Sequence, residues 1–308
     1  MKILITGASG MLGRDLIQEL QEHYDVYGCM LEDDRRPKFF QCDITNRTST
    51  IKAIERVNPN VVIHAAAFTN VDQSEHDRAL AMKVNFQGTK NVVDGCRHVK
   101  GILVYISTDF VFGGNRKEPY IEKVIPHPNN VYGESKLLGE FYAREQSQQY
   151  LIFRPAWLFG QYRNNFMSKI LSSAKQEQEL HVVQDQVGSP TYARHLAQAI
   201  HAALRKVCDE NLNEALNTIY HTVNRGAVTR YEVARELLKQ AHLEHVKITP
   251  INSNELTGSG GFAKRPVYSV LDASRFERTF DFQFPTWKEA IREYLTDIDP
   301  RQNDVSNA

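Results

Sequence analysis

The chain has 308 residues, enough for one large domain or two modest ones with a sizeable buried core. Its 37 Lys plus Arg residues balance 37 Asp plus Glu residues, and the zero net charge argues against a nucleic-acid partner. No apolar run approaches the ~20 residues of a membrane span, and residues 1–6 lack a signal-peptide pattern, so we expect no membrane partner. The four cysteines are scattered without a CxxC pair, which predicts free thiols in the reducing cytoplasm.

Short apolar runs alternate with amphipathic stretches through the first half of the chain. The runs predict strands at residues 2–6, 25–27, 61–65, 102–107 and 151–153. The amphipathic stretches predict helices at residues 15–20, 49–57, 78–98 and 135–145. Apolar strands separated by helices indicate an α/β fold whose parallel sheet is covered on both faces. Right-handed crossovers then make this sheet doubly wound and Rossmann-like.

The second half is less regular and predicts a smaller, substrate-binding region. It contains helix candidates at residues 194–205 and 231–241 and a glycine-rich stretch at 258–261. We therefore expect a dinucleotide-binding domain over residues 1–155, which also receives later segments, and a mainly substrate-binding region over 156–296. Residues 297–308 form a polar tail that we expect to be frayed.

The first motif with chemical content is the glycine loop between the first strand and the first helix. Gly7, Gly10 and Gly13 enclose Met11 and Leu12 there. A helix N-terminus offers free N–H groups and partial positive charge, and glycines let the backbone approach a pyrophosphate. The alternative is an ordinary turn between strand and helix. The position after the first strand favours a dinucleotide-binding loop.

Asp43 and Ile44 close a short run after the third strand candidate. Adenine could lie against this run, with the Asp43 carboxylate accepting a hydrogen bond from the base. Alternatively, Asp43, Thr45 or Asn46 caps the next helix. The sequence leaves both interpretations open.

Small residues follow the strand at residues 61–65. We expect Ala65, Ala66, Ala67 and Thr69 to let a flat cofactor ring and its ribose pack against the backbone. His64 stands at the end of this strand, and we interpret it as a structural residue, since a lone histidine there is more often satisfied internally than catalytic.

The strongest constellation joins Thr108 with Tyr132 and Lys136. Tyr132 and Lys136 are four residues apart, so they share one face of a helix. A nearby ammonium makes a phenol of pKa ~10 a better proton donor, and Lys136 could also bind the nicotinamide ribose. Thr108 ends a strand, where ligands bind in such sheets. A surface tyrosine and a solvated lysine are the alternative, but the upstream glycine loop favours a catalytic set.

Three residues of the second half are candidate substrate contacts. Trp157 follows the strand at 151–153 and is either an apolar wall for a deoxy-sugar or a core residue. Asn165 has the character of a polar ligand contact. Arg265 is the best candidate for a diphosphate clamp, because its planar guanidinium matches phosphate oxygens. A surface role for Arg265 is the alternative.

The segment after the second strand bears on the choice between the two nicotinamide cofactors. Residues 28–31 carry no acid to hold a ribose 2′-hydroxyl, and Arg35 and Arg36 could accept a 2′-phosphate. The three acids at residues 32–34 argue the other way. We expect NADPH to be used at least as well as NADH.

Across nearly the whole chain, one ordered series of motifs is similar to a known family. The series is TGASGMLG, HAAAFTNVDQSE, STDFVF, YGESK, FRPAWLFG, NNF, DQVGSPT and RPVYSVLD. It resembles the dTDP-4-dehydrorhamnose reductases, which are extended short-chain dehydrogenases/reductases. The resemblance implies NAD(P)H-dependent reduction of the 4-keto group of dTDP-4-dehydro-L-rhamnose to dTDP-L-rhamnose, for rhamnose-containing polysaccharides.

The same resemblance implies roles for individual residues. Tyr132 is the proton donor, Lys136 its activator and Thr108 its hydroxyl partner, while Asp109 and Trp157 face the sugar. The cofactor contacts Gly7, Gly10, Met11, Leu12, Asp43, Ile44 and residues 65–69.

Two departures and two alternatives accompany this resemblance. Phe110 replaces the family's usual tyrosine. Some members bind magnesium through acids at a dimer interface; Asp15 matches one of these acids, but Arg194 stands where another is expected, which makes a magnesium site doubtful.

The resemblance also allows a homodimer. An NADP-binding regulatory subunit, like the methionine adenosyltransferase beta subunit, and an epimerase or reductase of another nucleotide sugar are the alternative functions.

Overall fold

The computed structural model describes residues 1–32, 36–256 and 263–298. Its strands are β1 (Lys2–Thr6), β2 (Asp25–Met30), β3 (Phe39–Gln41), β4 (Val61–His64), β5 (Ile102–Ile106), β6 (Tyr150–Arg154), β7 (Leu158–Phe159), β8 (Glu179–Val183), β9 (Val187–Gly188), β10 (Thr191–Tyr192), β11 (Thr218–His221), β12 (Val228–Thr229) and β13 (Lys247–Ile251).

The α-helices are α1 (Met11–Leu20), α2 (Arg47–Val57), α3 (Val71–His76), α4 (Arg78–Ala81), α5 (Thr89–His98), α6 (Val131–Gln146), α7 (Phe166–Ala174), α8 (Ala193–Leu204), α9 (Arg230–Gln240), α10 (Ser253–Leu256), α11 (Ser274–Phe280) and α12 (Trp287–Ile298). Met82–Gly88 and Arg205–Asp209 are π-helical, and Asp109–Val111 and Asn213–Ala215 are short 3₁₀ turns. Among these described helices, none is long and apolar enough to cross a membrane.

A parallel sheet lies at the centre of the molecule. In the described chain it contains seven strands in the order β11-β6-β5-β4-β1-β2-β3. Successive side chains of β1 point to opposite faces: Ile3 and Ile5 join the hydrophobic core on the α1 and α8 side, and Leu4 joins the core on the α2 and α5 side. The predicted doubly wound, Rossmann-like sheet is confirmed.

The strand order reverses at β1, which lies between β4 and β2. In such sheets the crevice beyond the carboxyl ends of the strands at this reversal binds ligands. The glycine loop that follows β1 is therefore placed at the expected binding crevice.

Several predicted boundaries differ from the observed ones. β2 continues to Met30 instead of ending at residue 27, because β3 pairs with residues 28–30 and Gly28 leaves room for the Phe39 ring. The helix predicted at 78–98 is divided by the π-helix Met82–Gly88. Asp297 and Ile298, placed in the tail, form the end of α12. The glycine-rich stretch 258–261 and residues 299–308 lie outside the described residues.

The π-helix Met82–Gly88 connects two segments that line the binding crevice. Asn85 lies within it, and its side-chain oxygen accepts a hydrogen bond from the Phe68 backbone N–H at 2.8 Å. Its amide nitrogen donates to the Phe68 carbonyl at 3.0 Å and to Ser135 Oγ at 3.0 Å. π-turns are common at functional sites. Here the turn ties the loop after β4 to helix α6, and both line the crevice.

The second half of the chain adds an outer layer. It contains the strand pairs β7-β10, β9-β12 and β8-β13, with helices α7, α9 and α12 packed around them. β11 from the same half completes one edge of the central sheet.

Candidate active site

A cavity of about 780 Å³ lies at the carboxyl ends of the central strands. Phe68 and Arg36 do not line this cavity, but every other described residue that the sequence indicated for catalysis, cofactor binding or substrate binding does, from Gly7 to Arg265. These residues come from the glycine loop, the ends of β4 and β5, helix α6 and the outer layer. The structure therefore brings all of them together, although their individual roles stay predictions.

The glycine loop is shaped so that side chains are excluded at two positions. Gly7 has a φ of 72°, and a Cβ added there would lie 2.7 Å from the Ala66 backbone. A Cβ at Gly13 would lie 2.2 Å from the Gly7 carbonyl oxygen. The loop is thus packed backbone to backbone, and it ends at Gly10, the N-cap of α1. A helix N-terminus directed at the cavity is the arrangement that a pyrophosphate requires.

Asn46, and not Asp43, caps the helix that follows β3. The Asn46 side chain accepts a hydrogen bond from the Ser49 N–H at 3.1 Å. Asp43 accepts from the N–H of Thr45 at 2.8 Å and from its hydroxyl at 3.0 Å, which holds the carboxylate at the cavity. The adenine contact predicted for Asp43 and Ile44 stays a prediction.

His64 has the internal partners of a structural residue. Its ring nitrogens contact the hydroxyls of Thr6 at 2.7 Å and Thr89 at 3.0 Å. Burial lowers the pKa of His64 to about 3, with a smaller effect from the Lys136 charge. The imidazole is therefore neutral at physiological pH and joins β1, β4 and α5.

Tyr132 and Lys136 project from adjacent turns of α6, which begins at the N-cap Asn130. The Asn130 side chain accepts from the Gly133 N–H at 2.8 Å. Thr108 follows β5, and its hydroxyl donates to Asp109 Oδ1 at 3.1 Å. The end of β5 and the first turns of α6 thus place the Tyr132 phenol, the Lys136 ammonium and the Thr108 hydroxyl at one cavity.

Burial controls the protonation of this group. It raises the pKa of the Tyr132 phenol above its ordinary value, an effect that a hydrogen bond from Thr108 opposes and the Asp109 charge reinforces. The phenol therefore carries its proton at neutral pH. Burial also lowers the pKa of Lys136 to about 7, and the charge of Glu140 opposes this shift. The bias that Lys136 was expected to exert on Tyr132 stays a prediction.

Beneath Lys136 lies a buried network that sequence reasoning missed. Glu140, one helical turn further along α6, accepts from Arg154 Nε at 2.8 Å and Nη2 at 2.5 Å. It also accepts from Ser107 Oγ at 2.5 Å. Glu140 and Arg154 are each only 1% exposed. The bidentate pair fixes β5 and β6 against α6, immediately below the catalytic candidates.

Asp109 is a buried acid, and the protein supplies hydrogen bonds to only part of its carboxyl group. Its Oδ2 atom has no hydrogen-bond partner within the described part of the chain. Burial raises the pKa of this carboxyl to about 6, and the hydroxyls of Ser269 and Thr108 oppose the shift. A buried oxygen without a partner beside the cavity is suited to accept a hydrogen bond from a ligand hydroxyl.

Trp157 lines the cavity with unusual backbone geometry. Its φ is 45°, in the left-handed region that non-glycine residues rarely adopt. Its ring lies 4.1 Å from the Arg230 guanidinium, and a Cβ at Gly188 would lie 2.4 Å from the ring. The indole is therefore clamped between β9 and α9. Backbone strain of this kind often accompanies a functional position.

Arg230 was absent from the sequence predictions. It is the first residue of α9, where the helix dipole disfavours a positive charge, and that unfavourable position was the available signal. Its Nε donates to Gln186 Oε1 at 3.2 Å. Burial lowers the pKa of Arg230 to about 10, with a further effect from the Arg265 charge. Two guanidiniums thus face the same cavity, as a diphosphate would require.

Arg265 and Asn165 also have protein partners. Arg265 Nη2 donates to Asp72 Oδ2 at 2.7 Å, so this guanidinium is oriented by a carboxylate while it lines the cavity. The Asn165 side chain caps α7, accepting from the N–H groups of Met167 and Ser168 at 3.0 and 3.3 Å. Its amide nitrogen donates to the Gly160 carbonyl at 2.7 Å. Asn165 thus caps α7 while it lines the cavity, and the substrate contact predicted for it stays a prediction.

The sequence model of the family described as RmlD substrate binding domain matches residues 1–299. The chain belongs to this family. A dTDP-4-dehydrorhamnose reductase from Aggregatibacter actinomycetemcomitans is 34% identical over 94% of this chain and 97% of that protein. A crystal structure of such a reductase from Bacillus anthracis, in complex with NADP, is 35% identical with a TM-score of 0.87 over 96% of this chain and 99% of that one. The Clostridium acetobutylicum protein is 37% identical with a TM-score of 0.86, over 97% and 99%. The resemblance drawn from the sequence is confirmed.

Within this RmlD family chain, the surroundings of Asp15 do not fit magnesium. Asp15 is 3% exposed, and neither carboxyl oxygen has a hydrogen-bond partner among the described residues. The charge of Arg194 acts on Asp15, and Arg194 Nη1 donates to both oxygens of Asp297 at 2.9 Å. Over residues 1–32, 36–256 and 263–298, no group of three acidic, histidine or cysteine side chains could hold a metal.

Proposed function

We propose that this chain is a dTDP-4-dehydrorhamnose reductase, which uses NADPH to reduce the 4-keto group of dTDP-4-dehydro-L-rhamnose and forms dTDP-L-rhamnose for polysaccharide synthesis. The observation that carries the proposal is the cavity itself, where Thr108, Tyr132 and Lys136 face the glycine loop. The protonated phenol of Tyr132 supports a reduction, which consumes a proton at the carbonyl oxygen.

The cofactor, when bound, supplies the hydride that adds to the carbonyl carbon. Negative charge grows on the carbonyl oxygen as the hydride arrives, and this oxygen needs a donor. In our proposal Tyr132 transfers its proton to that oxygen, which completes the alcohol. The Thr108 hydroxyl donates a second hydrogen bond. Lys136 holds the nicotinamide ribose and restores the phenol through its own proton.

The remaining residues divide between the two ligands. We assign the pyrophosphate of the cofactor to the N–H groups at Gly10, Met11 and Leu12 of the glycine loop. Residues 65–67, Thr69 and the Asp43-Ile44 run line the rest of the cofactor. The diphosphate of the nucleotide sugar lies between Arg230 and Arg265, each bringing planar donors that match phosphate oxygens.

The sugar and the larger organisation complete the proposal. The Trp157 ring forms an apolar wall for the 6-deoxy carbon, and Asp109 Oδ2 accepts from a sugar hydroxyl. The division at residue 155 separates cofactor binding from mainly substrate binding. We further propose a cytoplasmic location and a homodimer.

Steady-state oxidation of NADPH at 340 nm, with and without dTDP-4-dehydro-L-rhamnose, tests the reaction. Tyr132→Phe keeps the ring and its contact with Phe110 but removes the proton, so kcat should fall by on the order of 10² to 10⁴ while both ligands still bind. Thr108→Val should cost less, because it removes one donor. Lys136→Met should lower both turnover and cofactor affinity. Near-normal turnover of Tyr132→Phe would contradict the proposal.

A further inference from the structure

Three side chains from separate parts of the chain meet at the mouth of the cavity: Ser9 of the glycine loop, Glu32 after β2, and Arg163 of the loop after β7. Ser9 Oγ donates to Glu32 Oε2 at 2.8 Å. Arg163 Nη2 donates to Glu32 Oε1 at 3.1 Å, and Arg163 Nε donates to the Ser9 carbonyl at 3.3 Å. All three residues line the cavity.

The position of this cluster after the second strand indicates which part of a bound dinucleotide it would contact. In doubly wound sheets, the side chain that follows the second strand meets the adenosine ribose of a bound dinucleotide. A carboxylate there accepts from the 2′-hydroxyl of NADH, whereas an arginine binds the 2′-phosphate of NADPH. This chain brings a carboxylate and a guanidinium to the same place and joins them.

We propose that Glu32 and Arg163 together determine cofactor choice, as a pair that NADH leaves joined and NADPH separates. With NADH, Glu32 accepts from the ribose hydroxyls and Arg163 stays bound to Glu32. With NADPH, the 2′-phosphate accepts hydrogen bonds from the Arg163 guanidinium, and the Glu32 side chain rotates towards solvent. The inference rests on the proposed function only in requiring that the cavity bind a nicotinamide dinucleotide.

The ion pair between Arg163 and Glu32 is weak enough for a ligand to separate it. The side chains of Arg163 and Glu32 are 55% and 58% exposed, and ion pairs at such exposure are weak. A dianionic phosphate offers the guanidinium more charge and more acceptor oxygens than one carboxylate. The hydrogen bond from Ser9 and the charge of Arg163 lower the pKa of Glu32, so the carboxylate is ionised at neutral pH.

The backbone holds Arg163 in place for this exchange. Arg163 has a φ of 66°, in the left-handed region, and its carbonyl accepts from the Asn165 amide at 3.2 Å. The capping residue of α7 therefore fixes the turn from which Arg163 reaches the mouth of the cavity. Of the arginines that the sequence suggested, Arg36 stacks on the Phe39 ring at 3.9 Å, and residues 33–35 lie outside the described part of the chain.

Fluorescence titration with NADPH and NADH, and competition by 2′,5′-ADP and 5′-AMP, test the pair without requiring turnover. Arg163→Met should weaken NADPH and 2′,5′-ADP on the order of 10- to 100-fold and change NADH by less than about 3-fold. Glu32→Gln should weaken NADH by roughly 10-fold and leave NADPH equal or tighter.

Arg14→Met is the matched control, because Arg14 also donates to the Ser9 carbonyl at 3.3 Å but lies against the Tyr162 ring. It removes the same charge near the same loop, and the NADPH to NADH affinity ratio should stay constant. If both Glu32→Gln and Arg163→Met change the two cofactors by one common factor, or if Arg14→Met changes the ratio as much as Arg163→Met, the proposal is overturned. Absence of keto-sugar reduction would contradict the proposed function alone, since these affinities are measured without the sugar.

Discussion

The buried carboxyl of Asp15 leads to a stability prediction with a defined sign. Burial raises its pKa to about 7, while Gln161 and Arg194 oppose the shift and Asp297 adds to it. The folded protein therefore holds this proton more tightly than the unfolded chain, whose Asp has a pKa of about 3.8. Stability is then lost as pH rises between these two values, because the unfolded state releases the proton first.

The size of the effect follows from the two pKa values. At 1.36 kcal/mol per pKa unit, the raised pKa of Asp15 lowers the free energy of unfolding, relative to acid pH, by at most about 4 kcal/mol at pH 8 and about 1.6 kcal/mol at pH 5. Asp15→Asn keeps the shape and removes the charge. It should stabilise the protein at both pH values, and its advantage should be roughly 2 to 3 kcal/mol larger at pH 8. For a chain of this length that difference is roughly 4 °C in Tm.

Urea and thermal unfolding of wild type and Asp15→Asn at pH 5 and pH 8 provide the measurement, with circular dichroism and tryptophan fluorescence as parallel probes. Glu244→Gln, at an exposed position between α9 and β13, controls for the loss of one negative charge. An equal advantage at both pH values, or a loss of stability at pH 8, would refute the reasoning. Millimolar magnesium should leave the wild-type midpoint unchanged, because Arg194 already supplies the neighbouring positive charge.

Two further substitutions separate packing from ligand binding. Glu140→Gln leaves the Arg154 guanidinium buried without its counter-charge, so we expect a loss of about 3 to 5 kcal/mol, or roughly 5 to 8 °C in Tm. Thermal unfolding measures it, and a loss below about 1 kcal/mol would show that the pair is not structural. Gly10→Val should abolish NADPH binding in a folded protein, because the branched side chain blocks close approach of the pyrophosphate. Fluorescence titration measures it, with circular dichroism as the control for folding; unchanged affinity would contradict the loop assignment.

Short-range sequence patterns predicted those elements whose determining residues lie close together in the chain. The apolar strand at residues 2–6, followed by glycines at 7, 10 and 13, was enough to indicate the sheet and its binding loop. The spacing of Tyr132 and Lys136 put them on one helix face, and the glycine loop upstream favoured a catalytic role for them over a surface role. In both cases the determining residues are within one or two turns of each other in the chain.

Features that depend on distant residues were missed or misread. The π-helix at Met82–Gly88 directs Asn85 towards Phe68 and Ser135, and no period within residues 78–98 indicates these partners. The hydrogen bonds from the Asn165 amide to the carbonyls of Gly160 and Arg163 were likewise not indicated by the sequence. The Glu32–Arg163 pair spans 131 residues of chain, so no local pattern could join its members.

Pairing distinguishes the two kinds of buried charge near the cavity. Glu140 and Arg154 are nearly inaccessible, and each finds its main partner in the other, while Arg154 Nη1 has no hydrogen-bond partner among the described residues. Lys136 and Asp109 are also buried, but the first carries a pKa lowered to about 7 and the second keeps an oxygen without a partner among the described residues. Isolated buried charges cost stability, and a fold retains them where a ligand supplies the missing partner. Both groups line the cavity, and this placement supports the proposal that substrate and cofactor bind at this end of the sheet.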